Sequence, residues 1–396
     1  ITGPVMAKSV EDTAFYIYNR LTSLNEVGGH PDRFGMTAAD FHAHNTGKDY
    51  PYTMLSTSTH DTKRSEDVRA RINVLSEMPD EWAAAISEWA QINASGKTPA
   101  EDDADEPMPS RNDEYLIYQS LIGIYETDKI SEVRERLIAY MYKAINEAKT
   151  NSNWINPNDV YGQAIADFVT AMLDNRKFRA VFEPFQQRVA FFGYFNSLSQ
   201  TLLKLTAPGT PDIYQGNELW DFSLVDPDNR RPVDFERRRE LLAEIRQADD
   251  RLQLARALVE QIETGVIKLY VTHQTLDYRR ENEALFCEGE YVPLEVSGSR
   301  VDHVCAFLRR LEDALALVVV PRLVAGLTGG EQRAPIGDVW ADTRLLLPES
   351  VRQVAGLENV LTGQPVAVTA HDNRLTISVA EILGEFPVGL LKGSAT

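Results

Sequence analysis

Cysteine is nearly absent: Cys287 and Cys305 are the only two in 396 residues. Two cysteines make neither a zinc cluster by themselves nor a disulfide framework, so a reducing, cytoplasmic setting is the simplest reading. Positive charge is also short, with 40 Lys and Arg against 59 Asp and Glu, a net charge of -19 and a pI near 4.9. Such a balance repels phosphate backbones and anionic lipid head groups, which argues against nucleic acid or a membrane as partner and for a neutral or cationic ligand. No apolar run reaches 18 residues, the longer ones being short like 314–320, and no basic-then-apolar segment opens the chain. Gly-x-x-x-x-Gly-Lys-Ser/Thr, His-Glu-x-x-His and Gly-x-Ser-x-Gly are all missing. The Gly-Lys pairs at 47–48 and 96–97 lack the upstream glycine, and His42 and His44 have no third ligand nearby, so they read as a loop pair and no metal is expected. The chain starts at Ile1 rather than Met, as if already inside a fold, and a fragment is the expectation.

What is present is globular. With 43% hydrophobic and 25% charged residues, the chain has material for roughly two or three domains with real cores. Residues 51–59 read as a strand ending in a loop. Between 65 and 189 helical periodicity takes over: Val133, Leu137, Ile138, Met141 and Ile145 recur behind Ser131, a candidate cap, and Ile165, Phe168, Val169 and Met172 repeat the pattern. The acidic run 101–109 is a solvated loop. A helix over 195–205 leads into Ala207-Pro208-Gly209-Thr210-Pro211, and 212–214 reads as a short buried strand, the grammar of a βα barrel. Past Asp249 the runs 304–308, 315–320 and 374–379, set apart by Gly, Pro and Asp-Asn turns, predict a C-terminal β domain.

Chemistry concentrates at 56–69, where His60 and Asp61 sit at a strand terminus among charged neighbours. Residues at the C-terminal ends of barrel strands line active sites. Carboxylates there suit glycoside chemistry, whose oxocarbenium-like transition state is positive. The plainer alternative is that Asp61 caps the following helix through Arg64.

The stretches Thr59-His60-Asp61-Thr62-Lys63-Arg64-Ser65-Glu66-Asp67-Val68-Arg69 and Met6-Ala7-Lys8-Ser9-Val10-Glu11-Asp12-Thr13-Ala14-Phe15 resemble the maltooligosyltrehalose synthase family of the α-amylase superfamily. A third stretch, Pro211-Asp212-Ile213-Tyr214-Gln215-Gly216-Asn217-Glu218-Leu219-Trp220 with 224–234 after it, is similar as well. The resemblance implies an α/β fold: the C-terminal part of a (β/α)8 TIM barrel with a helical insertion, followed by an all-β C-terminal domain. Its expected divisions are 1–75 for barrel strands six and seven, 76–185 for the insertion, 186–248 for the end of the barrel with strand eight, and 249–396 for linker helices and the β domain.

The resemblance also implies roles. Asp61 would stabilise the transition state and His60 would contact hydroxyls of the transferred sugar. Lys8, in the sixth strand, would face the sugar subsites. Arg64 would orient Asp61, bind a hydroxyl or serve in a structural ion pair. Tyr214 and Glu218 would follow strand eight, either reaching substrate or holding their loop. Asp226, Asn229 and Arg230 would bind substrate or lock a turn, and Trp154 and Trp220 are stacking or core residues. The implied activity is that of an isomerase, an intramolecular transglucosylation turning the reducing-end α-1,4 bond of a maltooligosaccharide into an α,α-1,1 bond, without a cofactor. The alternatives are an α-glucan hydrolase, a 4-α-glucanotransferase or a non-catalytic half of a split enzyme. Because the family's nucleophilic Asp and acid Glu come from strands four and five, the chain is expected to be inactive alone and to need the missing N-terminal barrel half as partner.

Overall fold

The computed structural model describes residues 2–47, 52–99, 107–371 and 374–395. Lys48, Pro51, most of the acidic run at 101–109 and the Asp-Asn pair at 372–373 lie outside the described residues. The chain forms two compact units, one drawn from residues 1–34, 58–193 and 221–231, the other from 35–57, 194–220 and 232–396.

The first unit is helical. Its helices are Glu66–Val74, Pro79–Asn93, Arg111–Ile124, Ile130–Ala148, Asp159–Asp174 and the first half of the long Arg176–Thr206. Ser65, Ser110 and Asn158 cap three of them through their side chains, satisfying N–H groups that have no partner inside a first turn. Ser131 is not a cap: the 3₁₀ turn Thr127–Lys129 runs straight into the helix and leaves Ser131 inside its first turn. The stripes read from periodicity do form the core, with Val133, Leu137, Met141 and Ile145 buried, as are Ile165, Phe168, Val169 and Met172. Trp89 centres an aromatic cluster, its ring 5.1 to 5.9 Å from those of Trp82, Tyr118, Phe178, Phe182 and Phe185.

Helix Glu66–Val74 approaches the long helix where the latter has Gly193. A Cβ built there would lie 2.7 Å from Arg71 Cγ and 3.0 Å from Arg71 Cα. Gly193→Ala should therefore force the helices apart at a cost of about 1–3 kcal/mol, read as a lower denaturant midpoint. An unchanged midpoint would mean that this contact separates freely.

The segment expected as the sixth strand is helical among the described residues. Residues Thr2–Pro4, Val5–Ala14 and Phe15–Ile17 form a continuous α–π–α helical stretch in which only Phe15 and Tyr16 are buried. A strand needs neighbours to satisfy its backbone, and no described strand pairs with this segment. A helix satisfies its backbone internally, and Lys8 and Asp12 add an i,i+4 ion pair of 2.6 Å.

In the second unit β1 (Met54–Leu55) and β2 (Thr210–Pro211) pair in parallel, Met54 with Thr210 and Leu55 with Pro211. The strand expected at 212–214 thus sits earlier. The Asp212 N–H still reaches Leu55 O at 2.8 Å, after which the chain leaves the ladder, and 211–214 are half-buried rather than buried. Gly209, at φ +140°, is required here, since a Cβ would meet Leu55 and Thr53 O within 2.7 Å.

Helices Phe235–Gln247, Arg251–Glu260, Val266–Glu281 and Glu283–Cys287 precede the β domain. Its strands are β3 (Glu290–Pro293), β4 (Glu295–Ser297), β5 (Val304–Leu311), β6 (Ala314–Pro321), β7 (Arg344–Leu346), β8 (Val354–Asn359), β9 (Thr369–His371), β10 (Arg374–Ser378) and β11 (Gly389–Ala395). They form two antiparallel sheets, ordered β3-β5-β6-β11-β8 and β4-β7-β10-β9. Val304, Ala306 and Leu308 of β5 and Leu315, Leu317 and Val319 of β6 join a core with Trp340, Leu345 and Ile377. The opposite face is buried too: Cys305, Phe307 and Arg309 are at most 6% exposed. Burial on both faces is why these strands read as unbroken apolar runs. The domain is not purely β, for the short helices Val324–Leu327 and Val379–Ile382 interrupt it. Both cysteines are free, and burial pushes the Cys305 thiol up to about 11. Among the described residues no helix is long and apolar enough to cross a membrane.

Candidate functional site

His60 and Asp61 occupy an exposed turn whose base is buried. Thr59 and Thr62 close the turn: Thr62 Oγ1 donates to Thr59 O at 3.0 Å and accepts the Thr59 N–H at 3.3 Å, while the Asp61 N–H donates to Thr59 Oγ1 at 3.2 Å. Residues 62–68 then sink into the unit, all below 9% exposed. Ser58 Oγ accepts the Glu66 N–H at 2.9 Å, the Ser65 N–H donates to Ser223 O at 2.9 Å, and Asp67 accepts the Asp221 N–H at 2.8 Å. Asn229 Nδ2 donates to His60 O at 3.1 Å, tying the 226–231 turn to the His-Asp turn. The His60 and Asp61 side chains are thus displayed on a fixed base.

Asp61 does not cap the next helix through Arg64; Ser65 is the cap. Arg64 is 1% exposed and turns inward, donating to Thr22 O at 3.2 Å and Tyr140 Oη at 2.7 Å, with its guanidinium against the Tyr140 ring. Both the sugar-binding and the Asp61-orienting roles expected for it lose their geometry, because a cation beside a His-Asp pair in sequence can point either way and here it packs in the core.

Lys8 is exposed and pairs with Asp12, whose other oxygen takes the Lys63 ammonium at 3.2 Å. The hydrogen bond to Asp12 holds the Lys8 ammonium above its ordinary range, with the Asp61 charge adding to the effect. Burial raises the Asp12 carboxyl, but the two lysines outweigh it and leave it below the usual carboxylate range. Asp226 accepts from Lys143 at 2.8 Å, which lowers its carboxyl; Arg230, half exposed, stands 3.7 Å away, and Lys63 contributes to the same lowering. Lys8, Asp12 and Lys63 thus form one charged cluster of the helical unit, and Lys143, Asp226 and Arg230 another. Trp154 is half exposed, edge-on to Tyr142.

Tyr214 and Glu218 lie in the other unit. Glu218 accepts from Arg238 Nε at 2.8 Å and from the Gly216 N–H at 3.1 Å, and Arg238 also bonds Gly216 O, so Glu218 holds its own loop. Trp220 stacks on Tyr194 at 5.1 Å and donates its indole N–H to Ile262 O. His42 sits on the helix Ala38–Asn45 rather than in a loop and bonds Tyr291 Oη at 2.8 Å; the capping box of Thr37 and Asp40, unnoticed in the sequence, starts that helix. Among the described residues no group of His, Cys, Asp or Glu could hold a metal. Sequence reasoning missed Glu26, Lys63, Lys143 and the Arg136–Asp228 pair. Only the last two residues carried any signal, as a turn crowded with hydrogen-bonding groups and a cation on a helical face.

No protein-family profile matches the chain. The solved structures that share its fold are of the glycosyl-hydrolase-like kind, built of helices and sheets. Maltooligosyltrehalose synthase from Arthrobacter ramosus superposes on all of this chain with a TM-score of 0.80 at 36% identity, and the chain covers 46% of it. A Sulfolobus tokodaii structure titled as a hypothetical maltooligosyl trehalose synthase matches 98% of the chain, with a TM-score of 0.74 at 32% identity and 45% of its own length covered. Curated proteins named maltooligosyl trehalose synthase in two strains of Mycobacterium tuberculosis are 38% identical over 322 residues, 80% of this chain and 38% of theirs. The chain is a relative of the maltooligosyltrehalose synthases, an isomerase family, and spans less than half the length of each of these.

Proposed function

We propose that this chain supplies part of the active site of an enzyme that rearranges the reducing-end α-1,4 bond of a maltooligosaccharide into an α,α-1,1 bond. The observation that carries this reading is the match of the whole chain to the Arthrobacter ramosus synthase. The exposed turn bearing Asp61, with a lysine whose charge couples to it, is consistent with that chemistry. β1 and β2, adjacent and parallel, would be barrel strands seven and eight.

In this reading a carboxylate outside the residues assigned here attacks C1 of the penultimate glucose, and an acid protonates O4 of the leaving terminal glucose as the C1–O4 bond breaks. Asp61 lowers the barrier by facing the positive charge that develops at C1 and the ring oxygen, and His60 donates to a hydroxyl of the same sugar. The released glucose stays bound, turns, and its own O1 displaces the enzyme carboxylate from C1 while its proton passes to the group that had protonated O4, now acting as base. No water is consumed. Retention of that glucose separates mutase from hydrolase, and Lys8, Asp226 and Arg230 are the groups proposed to hold sugar hydroxyls, with Tyr214 and Glu218 shaping the loop after strand eight. Without the attacking and protonating groups, the chain by itself is proposed to be inactive.

The test is to incubate the full-length protein with maltohexaose and follow reducing ends and free glucose together. Reducing ends should fall while little glucose appears. A rise in reducing ends would make it a hydrolase.

A further inference from the structure

Glu26 has no place in the chemistry above, yet its carboxylate gathers four donors. Oε1 accepts the N–H groups of Lys63 and of Val27, each at 2.8 Å. Oε2 accepts the Arg64 N–H at 3.2 Å and Arg69 Nη1 at 3.0 Å. The side chains of Glu26 and Arg69 are only 15% and 14% exposed. Lys63 and Arg64 follow Asp61 by two and three residues, where the chain passes from the exposed turn to the capped helix. Their amides would otherwise need a strand or water, so one carboxylate replaces a strand partner.

The loop that carries Glu26 is itself fixed. Asn25, 1% exposed, donates from Nδ2 to Phe15 O and Tyr18 O at 2.9 and 2.8 Å. The Gly29 N–H returns to Glu26 O at 2.7 Å, and the Gly28 N–H, at φ +74°, reaches Glu11 at 3.2 Å. Glu26 is thus a rigid post on one side of the His-Asp turn, while Asn229 on His60 O is the tether on the other.

We infer that Glu26 is a positioning residue: it sets where the Asp61 carboxylate stands, and acts on the reaction only through Asp61. The inference rests on the proposed function, because it needs Asp61 to be the transition-state carboxylate. A displacement of about 1 Å in a catalytic group costs on the order of a hundredfold in rate, and losing the amide acceptors at Lys63 and Arg64 frees the turn on that scale.

The experiment is a cycle in the full-length protein: wild type, Glu26→Gln, Asp61→Asn and the double variant, with kcat and KM on maltohexaose and the melting temperature of each. Glu26→Gln should lower kcat by about 10- to 100-fold with KM changed by less than about twofold, and Glu26→Asp, which keeps the charge, should recover part of it. In the Asp61→Asn background the same change should leave the residual rate where it is, since its target is gone. Losses that multiply in the double variant, or a Glu26→Gln enzyme within twofold of wild type, overturn the inference and leave the proposed function standing. Full activity of Asp61→Asn would instead overturn the proposed function. Should Glu26→Gln melt below the assay temperature, Arg69→Met, which removes one donor from the carboxylate and a bond to Arg64 O but keeps the three amide bonds to Glu26, replaces it in the cycle under the same criteria.

Discussion

Asp61→Asn in the full-length protein should lower kcat by roughly a hundred- to a thousandfold, the loss typical when one preorganised electrostatic group facing a developing charge is removed. Asn keeps the shape of the side chain and gives up only the charge. The Asp61 side chain is exposed, and the bonds that form its turn come from its own N–H and from Thr59 and Thr62, so the fold should survive the change. KM should move little, because the sugar is neutral in the ground state and positive only at the transition state. Lys8 should become easier to deprotonate, since one of the charges that holds its ammonium up is lost. A variant with the wild-type melting temperature and turnover within a few fold of wild type would remove Asp61 from the mechanism. A variant that melts early would say instead that the carboxylate is part of the fold.

The parts of this structure that were legible in the sequence are those governed by local period. The stripes Val133 to Ile145 and Ile165 to Met172 announced helices because a surface helix buries one face, and the apolar runs of β5 and β6 announced strands because both faces of that sheet are covered. The His60–Asp61 turn was legible as a loop after a short strand. The inward path of Arg64 was not, because it depends on Thr22 and Tyr140, 42 and 76 residues away. Glu26 gave no local sign either, its partner Lys63 being 37 residues distant. The segment holding Lys8 was read as a strand from its likeness to a family, and it is helical here, since no described strand pairs with it. What is missing from sequence reasoning is therefore one kind of fact: which buried polar group finds which distant partner.

Asp228→Ala should show the price of such a partner. The Asp228 carboxylate takes Arg136 in two parallel bonds of 2.9 Å, accepts the Leu224 N–H at 2.8 Å, and lies 3.1 Å from Arg231 Nε. The Arg136 and Asp228 side chains are 7% and 11% exposed. Burial pushes the Arg136 guanidinium toward losing its proton, and Asp228, with Glu132 and Glu126 adding to it, more than reverses it. Removing the carboxylate leaves a buried cation answered by Glu132, 3.8 Å away, the Phe222 carbonyl and the more distant charge of Glu126. Breaking a buried pair from one side costs about 3–5 kcal/mol, far more than the pair contributes against a well-packed apolar substitute. Asp228→Asn, which keeps one acceptor oxygen, should cost about half of that. Urea unfolding with the same slope and a lower midpoint is the expected readout, and an unchanged midpoint for Asp228→Ala would mean that water enters and solvates Arg136. The loss is expected to reach the site as well, because Asn229, the next residue, carries the tether to His60 O. Stability and turnover should then fall together for Asp228→Ala, whereas Asp61→Asn should lower turnover alone.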